Sequence, residues 1–406
     1  LAAPFVFNAL DPETRRDPYA LYARGRSEFP LHVHDELPLP VFSIFLYDDV
    51  QTMLRDDTIW SSEFAEAFTG TTVADETRKR QESMIGLDGK PHHRLRGLVN
   101  KAFTPRVVQR REAQMRASAA ALVDIAVETG EVDLVEALTH PFPVQVIAEI
   151  IGVPPDDRER FKVWSDRAVS NLGTGFFENT SEEDIAAGEQ LFGEMRNYFI
   201  PLAEARRKNP QDDLLTGLVQ AEHEGSHLDH AEMLSMLILL LVAGNETTTT
   251  LIGNAALELM SHPDQMQRLR ADSSLMPGAI EEVLRFASPV QFDPRRAVKP
   301  TSLHGHEIPE NAIVLGWIGS ANRDEKIFEC PDVFDISRQP NPHISFGFGV
   351  HFCLGSNLAR LEAQIAIETL LAKTSLIERT DDEPLPLHES PVFRAAAKIP
   401  VRLEPA

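Results

Sequence analysis

The stretch from Ser345 to Arg360 reads SFGFGVHFCLGSNLAR and carries Cys353, one of only two cysteines in the chain. A thiol becomes a ligand or a nucleophile as its thiolate, and the N-terminus of a helix stabilises that anion. Leu354, Leu358, Leu361 and Ile365 recur at helical spacing. Cys353 is therefore expected just before a helix, where the amides of Leu354, Gly355 and Ser356 can point at its sulfur. Gly347 and Gly349 permit a tight turn, and Gly355 lets a flat group approach the backbone. Three chemistries fit these residues: a catalytic cysteine with a histidine base, a thiolate ligand for haem iron, or a buried structural thiol. Cys330 takes the last reading.

Two other patterns carry less. Glu282 and Arg285 lie three apart on one helical face, a spacing that exposed ion pairs use commonly and with little effect on stability. His223-Glu224-Gly225-Ser226-His227 matches the zinc-protease pattern. That chemistry needs both histidines on one face of a stable helix. Gly225 and Ser226 interrupt such a helix, so a solvated loop between two helices is expected here.

The elements that must position these residues are mostly helical. Thr104 as N-cap, Pro105 in the first turn and Gly130 past the end mark one helix. A second starts at Ser181 with Glu182, Glu183 and Asp184 and ends near Arg206, Arg207 and Lys208, with Pro201 expected to kink it. A long third helix runs from His230 to Ser261, where His262-Pro263 stops it. Short strand-like pieces lie at Leu39 to Tyr47, Ala312 to Trp317 and Ile399 to Leu403. No repeat or linker divides the sequence. One mostly helical domain over residues 1–406 follows, with a β-containing N-terminal part to about residue 60, a helical core over about 88–375, and small peripheral sheets.

Composition narrows the function. With 406 residues, 43% hydrophobic and 25% charged, the chain can bury a large core. A net charge of −23 argues against general binding to nucleic acid or anionic membranes. Two cysteines cannot build a disulfide framework and suit a reducing cytoplasm. No basic segment followed by an apolar run suggests a signal peptide. The longest apolar run, Met236 to Ala243, falls far short of the roughly 20 residues of a membrane span. The sequence begins at Leu1 rather than Met, so a trimmed N-terminus is expected.

Phe346-Gly347-x-Gly349-x-His351-x-Cys353-x-Gly355 resembles the haem-binding loop of the cytochrome P-450 family. Other segments resemble the family in the same order along the chain. His92-x-x-x-Arg96 resembles its propionate-binding helix, and Ala243-Gly244-Asn245-Glu246-Thr247-Thr248 the oxygen-activating segment of its long central helix. Glu282-x-x-Arg285 resembles its Glu-x-x-Arg pair. Ala321-Asn322-Arg323-Asp324 and Phe334-Asp335-Ile336-Ser337-Arg338 match the segments that precede the cysteine loop. The resemblance covers essentially the whole chain and suits the soluble bacterial type.

That resemblance implies a mainly α cytochrome P-450 fold: a helix-rich triangular prism with small peripheral β-sheets, and haem between the long central helix and the helix after the cysteine loop. It implies a haem-dependent monooxygenase that inserts one oxygen atom from O2 into an apolar small molecule. Electrons would come from NAD(P)H through a ferredoxin reductase and a ferredoxin. Cys353 would be the axial ligand of haem b iron, with Phe346 beside its sulfur. Ile85, Ala243, Gly244, Gly347, Gly349, Leu354 and Gly355 would contact the cofactor. His92, Arg96, Arg295 and His351 would bind the propionates, with His93 and Arg296 as competitors. Gly244 would weaken the helix and leave room over the haem, while Glu246 and Thr247 would relay protons to dioxygen. The other reading of this segment is a Thr-rich helix that packs on its neighbours. Glu282 and Arg285 would be a buried structural pair completed by Arg338. Phe68, Leu239, Val242, Val290, Phe292, Val392 and Phe393 would line the substrate pocket, or form ordinary core.

From Lys90 to Arg116 eight Lys or Arg stand against one acid, Glu112. This local reversal of sign would steer an acidic ferredoxin, or merely offset neighbouring acids. A cytoplasmic monomer is expected. A haem-thiolate sensor without turnover would need Cys353 but not Glu246 and Thr247, and a peroxide-driven haem-thiolate enzyme would typically lack that pair.

Overall fold

Helices dominate because the sequence supplies long stretches with one or more apolar faces, a few of them capped by a local side chain. In this computed structural model, which describes residues 5–35, 37, 40–63, 83–100, 103, 105–169, 182–221 and 227–406, the longest helix is His230–Ser261. Asp229 and Glu232 start it as a reciprocal cap. Glu232 N donates to Asp229 Oδ1 at 2.9 Å, and Asp229 N to Glu232 Oε2 at 3.0 Å. The helix ends where Pro263 opens the next one. By length and composition it could cross a membrane, but 67% of its apolar window is buried, as in a core helix.

The chain forms two compact units, each assembled from segments remote in sequence. The first comprises Leu1–Thr71, Thr250–Cys353 and Asp381–Ile399. Its five-stranded sheet has the order 31–34, 41–44, 313–316, 293–297, 60–61. The pairing of 41–44 with 313–316 is parallel and the others are antiparallel. Phe42, Ile44, Val314, Trp60 and Phe328 belong to its core. The strand expected over Leu39 to Tyr47 is shorter, Val41–Ile44, and Tyr47 instead opens the helix Tyr47–Arg55. The reason is tertiary. Asp324, remote in sequence, takes the Tyr47 N–H at 3.0 Å and caps a helix start that lacks a local side-chain cap.

Glu282 and Arg285, both 0% exposed, sit on the helix Met276–Phe286. Arg285 Nε and Nη2 donate to the two Glu282 oxygens at 2.8 Å each. Arg338 Nε adds a bond of 3.1 Å to each oxygen. The three residues form the buried cluster that the spacing alone could not distinguish from a surface pair.

The second unit comprises Thr72–Thr249, Leu354–Thr380 and Pro400–Ala406. It holds the helices Glu112–Thr129, Pro141–Ile151, Glu182–Lys208 and Ser356–Lys373. A three-stranded sheet in the order 131–133, 400–405, 374–379 completes it. Pro201 lies inside Glu182–Lys208. The helix expected from Thr104 to Gly130 is two helices, Pro105–Arg110 and Glu112–Thr129. The break falls at Arg111, whose guanidinium is drawn to the carbonyl and carboxylate of Asp212. Gly130 ends the second helix at φ 82, as a C-terminal glycine should. Glu362, on Ser356–Lys373, is 1% exposed, and burial pushes its carboxyl well above the usual carboxylate range.

Removing the carboxylate by Glu282→Ala leaves two guanidiniums facing each other in the interior. The expected loss is about 3–5 kcal/mol of stability, read as a lower urea midpoint of the holoprotein. Glu362 gives a pH signature. Its folded-state pKa is raised, so its protonated form supports the fold fully below the ordinary value of 4.5, and that support is lost as pH rises above it. Glu362→Gln should therefore raise the urea midpoint relative to wild type at pH 8 and narrow that advantage towards pH 5.

Candidate active site

The cysteine loop is built from two left-handed glycines. Gly347 has φ 71 and Gly349 φ 73, conformations that side chains rarely adopt. Gly347 N bonds Ile344 O at 2.9 Å, and Cys353 N bonds Phe346 O at 2.9 Å, which folds the segment back on itself. At Gly349 a Cβ would stand 2.7 Å from Leu54 O, so the loop lies directly on the end of Tyr47–Arg55. Cys353 is half-buried and precedes the helix Ser356–Lys373, which has Gly355 as its N-cap. Nothing lies within 4 Å of a Cβ built on Gly347 or Gly355. A lone thiol in a glycine loop at a helix start, with open space over two of its glycines, fits a thiolate-ligated flat cofactor. Among the described residues, no group of three metal-ligating side chains offers a competing metal site. Cys330 is exposed, with φ 46, in a turn whose carbonyl accepts from Arg338, so its expected burial is not found.

In the second unit, the helix carrying Glu246 and Thr247 is buried on most faces yet leaves Leu239, Val242, Ala243, Gly244 and Thr247 accessible in part. These positions share one face. Thr247 Oγ1 donates to Ala243 O at 2.7 Å, and Glu246 is 8% exposed. The helix runs unbroken through Gly244. A Cβ there would meet Ile147 Cδ1 at 3.4 Å, so this glycine serves close packing on Pro141–Ile151. The most accessible residue of the face is its neighbour Ala243. Asn245 Nδ2 donates to Ser165 Oγ at 2.6 Å and fixes the helix rotation from the opposite side. Thr248, Thr249 and Thr250 are buried, as ordinary packing residues.

The candidate propionate ligands separate clearly. Arg295 and Arg296 are neighbours on the strand Asp293–Ala297, so they leave it on opposite sides. Arg296 is committed to Glu63 O at 2.7 Å and Asn311 Oδ1 at 2.8 Å. Arg295 is held by Asp293 Oδ1 at 2.6 Å and by Pro294 O at 2.7 Å. On the helix Gly89–Asn100, His92 is 1% exposed whereas His93 is exposed, and Arg96 is half-buried one turn on from His92. His351 is half-buried in the short helix Gly349–His351, and Ile85 is 60% exposed.

The expected substrate contacts divide by burial. Val290 and Val392 are partly accessible, and Val290 pairs with Phe393 in an isolated bridge. Phe292, 1% exposed, packs on Trp317 with ring centroids 4.9 Å apart, and Phe393 is 5% exposed. Both phenylalanines are buried in the core of the first unit. Phe68 lies outside the described residues, as do Lys101 and His223 to Ser226 of the zinc-protease-like pattern. His227 bonds Ala221 O through Nδ1 at 3.0 Å.

The cytochrome P450 family model matches residues 2–402. The chain belongs to this family. It is 37% identical over 388 residues to the putative cytochrome P450 YjiB of Bacillus subtilis, covering 94% of this chain and 93% of that one. The structure of cytochrome P450 CYP109Q5 from Chondromyces apiculatus matches with a TM-score of 0.88 and 37% identity, over 98% of both chains. CYP109E1 from Bacillus megaterium in complex with testosterone matches with a TM-score of 0.84 and 35% identity, over 95% of this chain and 99% of that one. The protein is thus a cytochrome P450 monooxygenase, an oxidoreductase of a family that uses haem, O2 and electrons from redox partners.

Asn322 was only a landmark in Ala321-Asn322-Arg323-Asp324, yet its side chain bonds Ile344 N, Ser345 Oγ and Ser288 Oγ. An asparagine in the sequence carries no mark of such convergence.

Gly349→Ala tests the loop directly, since it adds both a Cβ beside Leu54 O and a left-handed alanine. The purified variant should contain severalfold less haem per protein than wild type, from strain of about 1–3 kcal/mol plus the backbone clash.

Proposed function

We propose that this P450 hydroxylates an apolar small molecule of steroid-like size and rigidity. One oxygen atom of O2 enters a C–H bond and the other leaves as water, with two electrons and two protons consumed. The observation that carries the reading is the Cys353 loop, where two left-handed glycines fold a lone thiol to the mouth of a helix. When bound there, haem b supplies the activation of dioxygen. Cys353 would ligate the iron as thiolate, and Phe346 would cover the sulfur. Arg295, His92, Arg96 and His351 would neutralise and orient the two propionates, while Leu354, Gly355 and Ile85 would lie against the cofactor.

Glu246 and Thr247 have the chemistry of a proton relay, an acid beside a hydroxyl. The hydroxyl hydrogen of Thr247 is engaged by Ala243 O, which leaves its oxygen able to accept a proton. Passing one onward requires that bond to break. Leu239, Val242 and Ala243 on the central helix would contact the substrate, as would Val290 and Val392. Their apolar character supports an apolar ligand, and the testosterone held by the B. megaterium relative supports its size class.

Electrons would come from NAD(P)H through a ferredoxin reductase and a ferredoxin. The basic run supports an acidic donor only in part. Arg94 pairs with Glu232, Arg111 with Asp212 at 3.4 Å, and Arg116 with Glu112 at 2.9 Å and Glu368 at 2.8 Å. Lys90 and Arg110 are exposed. Free cysteines agree with a reducing cytoplasm, where the protein would act as a monomer.

The test is the ferrous–CO spectrum. Wild type and Cys330→Ser should show the strongly red-shifted Soret band of thiolate ligation, and Cys353→His should lose it. Retention of the band in Cys353→His would reassign the ligand.

A further inference from the structure

The cysteine loop does not hold itself. Its first residues are clamped at several points, all within the first unit. Asn322 is 0% exposed and follows the short helix Ile318–Ala321. Its Oδ1 accepts from Ile344 N at 2.9 Å. Its Nδ2 donates to Ser345 Oγ at 2.7 Å and to Ser288 Oγ at 2.8 Å. Three of the four bonds an asparagine side chain can make are therefore spent on this junction. Ser345 Oγ passes its own hydrogen to Leu284 O at 2.6 Å, on the helix Met276–Phe286. His343 accepts from Ser345 N through Nδ1 at 3.3 Å and so carries its proton on Nε2, which meets Glu281 Oε2 at 3.0 Å. Tyr47 Oη donates to Pro342 O at 2.7 Å.

The next contacts lead straight to the thiol. Ile344 O, whose N–H Asn322 holds, receives Gly347 N, and Phe346 O receives Cys353 N. Any shift of Ile344 and Ser345 moves the turn that fixes the cysteine amide. Asn322 is also tied to the buried ion pair, because Arg285 Nη1 donates to its carbonyl at 3.1 Å.

We propose that Asn322 is a positioning residue for the Cys353 thiolate, acting through Ser345, with His343 and Tyr47 securing the same stretch of chain. This rests on the reading of Cys353 as the haem ligand. The clamp keeps the loop in the register where the sulfur faces the iron. Without it, Ile344 and Ser345 lose their anchor, and the loop can relax to a form in which the thiolate no longer ligates.

The experiment uses purified holoprotein: wild type, Asn322→Ala, Ser345→Ala, the double variant and Cys353→His. The lifetime of the red-shifted ferrous–CO band is followed beside the urea midpoint of each. Asn322→Ala and Ser345→Ala should each lose the band about tenfold faster than wild type, the size expected from unpairing one or two buried hydrogen bonds. The double variant should decay no faster than the faster single, since both act on one junction. A residue of merely structural value would lower the urea midpoint and leave the band lifetime at the wild-type value, and that result overturns the proposal. Additive effects in the double variant overturn it too, because Asn322 would then act apart from Ser345. If Asn322→Ala yields no holoprotein, Ser345→Ala alone decides by the same lifetime criterion. A wild-type protein without the band, or Cys353→His with it, would instead take down the ligand assignment on which the clamp depends.

Discussion

The buried carboxylate of Glu282 organises the first unit. It receives Arg285 and Arg338 and also the Asp335 N–H at 3.0 Å and Asn341 Nδ2 at 3.2 Å. A charge at zero exposure survives only when it is this fully surrounded by donors. The consequence extends along the chain. Between Asn322 and Cys353 there is almost no regular secondary structure, so the carbonyls of that segment have no ladder to join. The two guanidiniums take them instead: Arg285 binds Asn322 O, Pro331 O and Val333 O, and Arg338 binds Glu329 O, Cys330 O and Val333 O. One ion cluster therefore replaces backbone pairing for an irregular stretch that ends in the cysteine loop.

The segment around Glu246 and Thr247 obeys a different constraint. Asn245 and Thr249 face inward, where Asn245 bonds Ser165 and Thr249 Oγ1 reaches Asn245 Oδ1 at 3.3 Å, while Gly244, at the border of that face, lets Ile147 approach. These contacts fix the rotation of His230–Ser261 about its own axis. Once that rotation is fixed, helical geometry leaves Leu239, Val242, Ala243 and Thr247 together on the accessible face. Residues buried on one side of the helix decide which ones are accessible on the other.

Charge shows how a sequence pattern changes on folding. The run from Lys90 to Arg116 is strongly basic as a string. In the fold, acids from distant segments are drawn to it: Glu232 to Arg94, Asp212 to Arg111 and Glu368 to Arg116. Among the described residues of the run, the basic charge is partly offset in this way, and steering by long-range fields is weakened accordingly.

Much of this protein was legible in the sequence because the signals are local. Caps, prolines and terminal glycines placed the long helices. The ends of His230–Ser261 and the left-handed Gly130, Gly347 and Gly349 needed no partner to be foreseen, since only backbone sterics are involved. The cysteine loop is a short pattern that can be read within a few residues. What the tertiary structure decided depends on groups remote in sequence. Asp324 made Tyr47 a helix start. Asp212 drew Arg111 where one helix became two. Trp317 took Phe292 into the core, and Asn311 with Glu63 took Arg296, leaving Arg295 on the other side of the strand. Asn322 is the plainest case: a side chain with two donors and two acceptors bonds whatever folding brings to it, and no local pattern says that Ile344, Ser345 and Ser288 will arrive together.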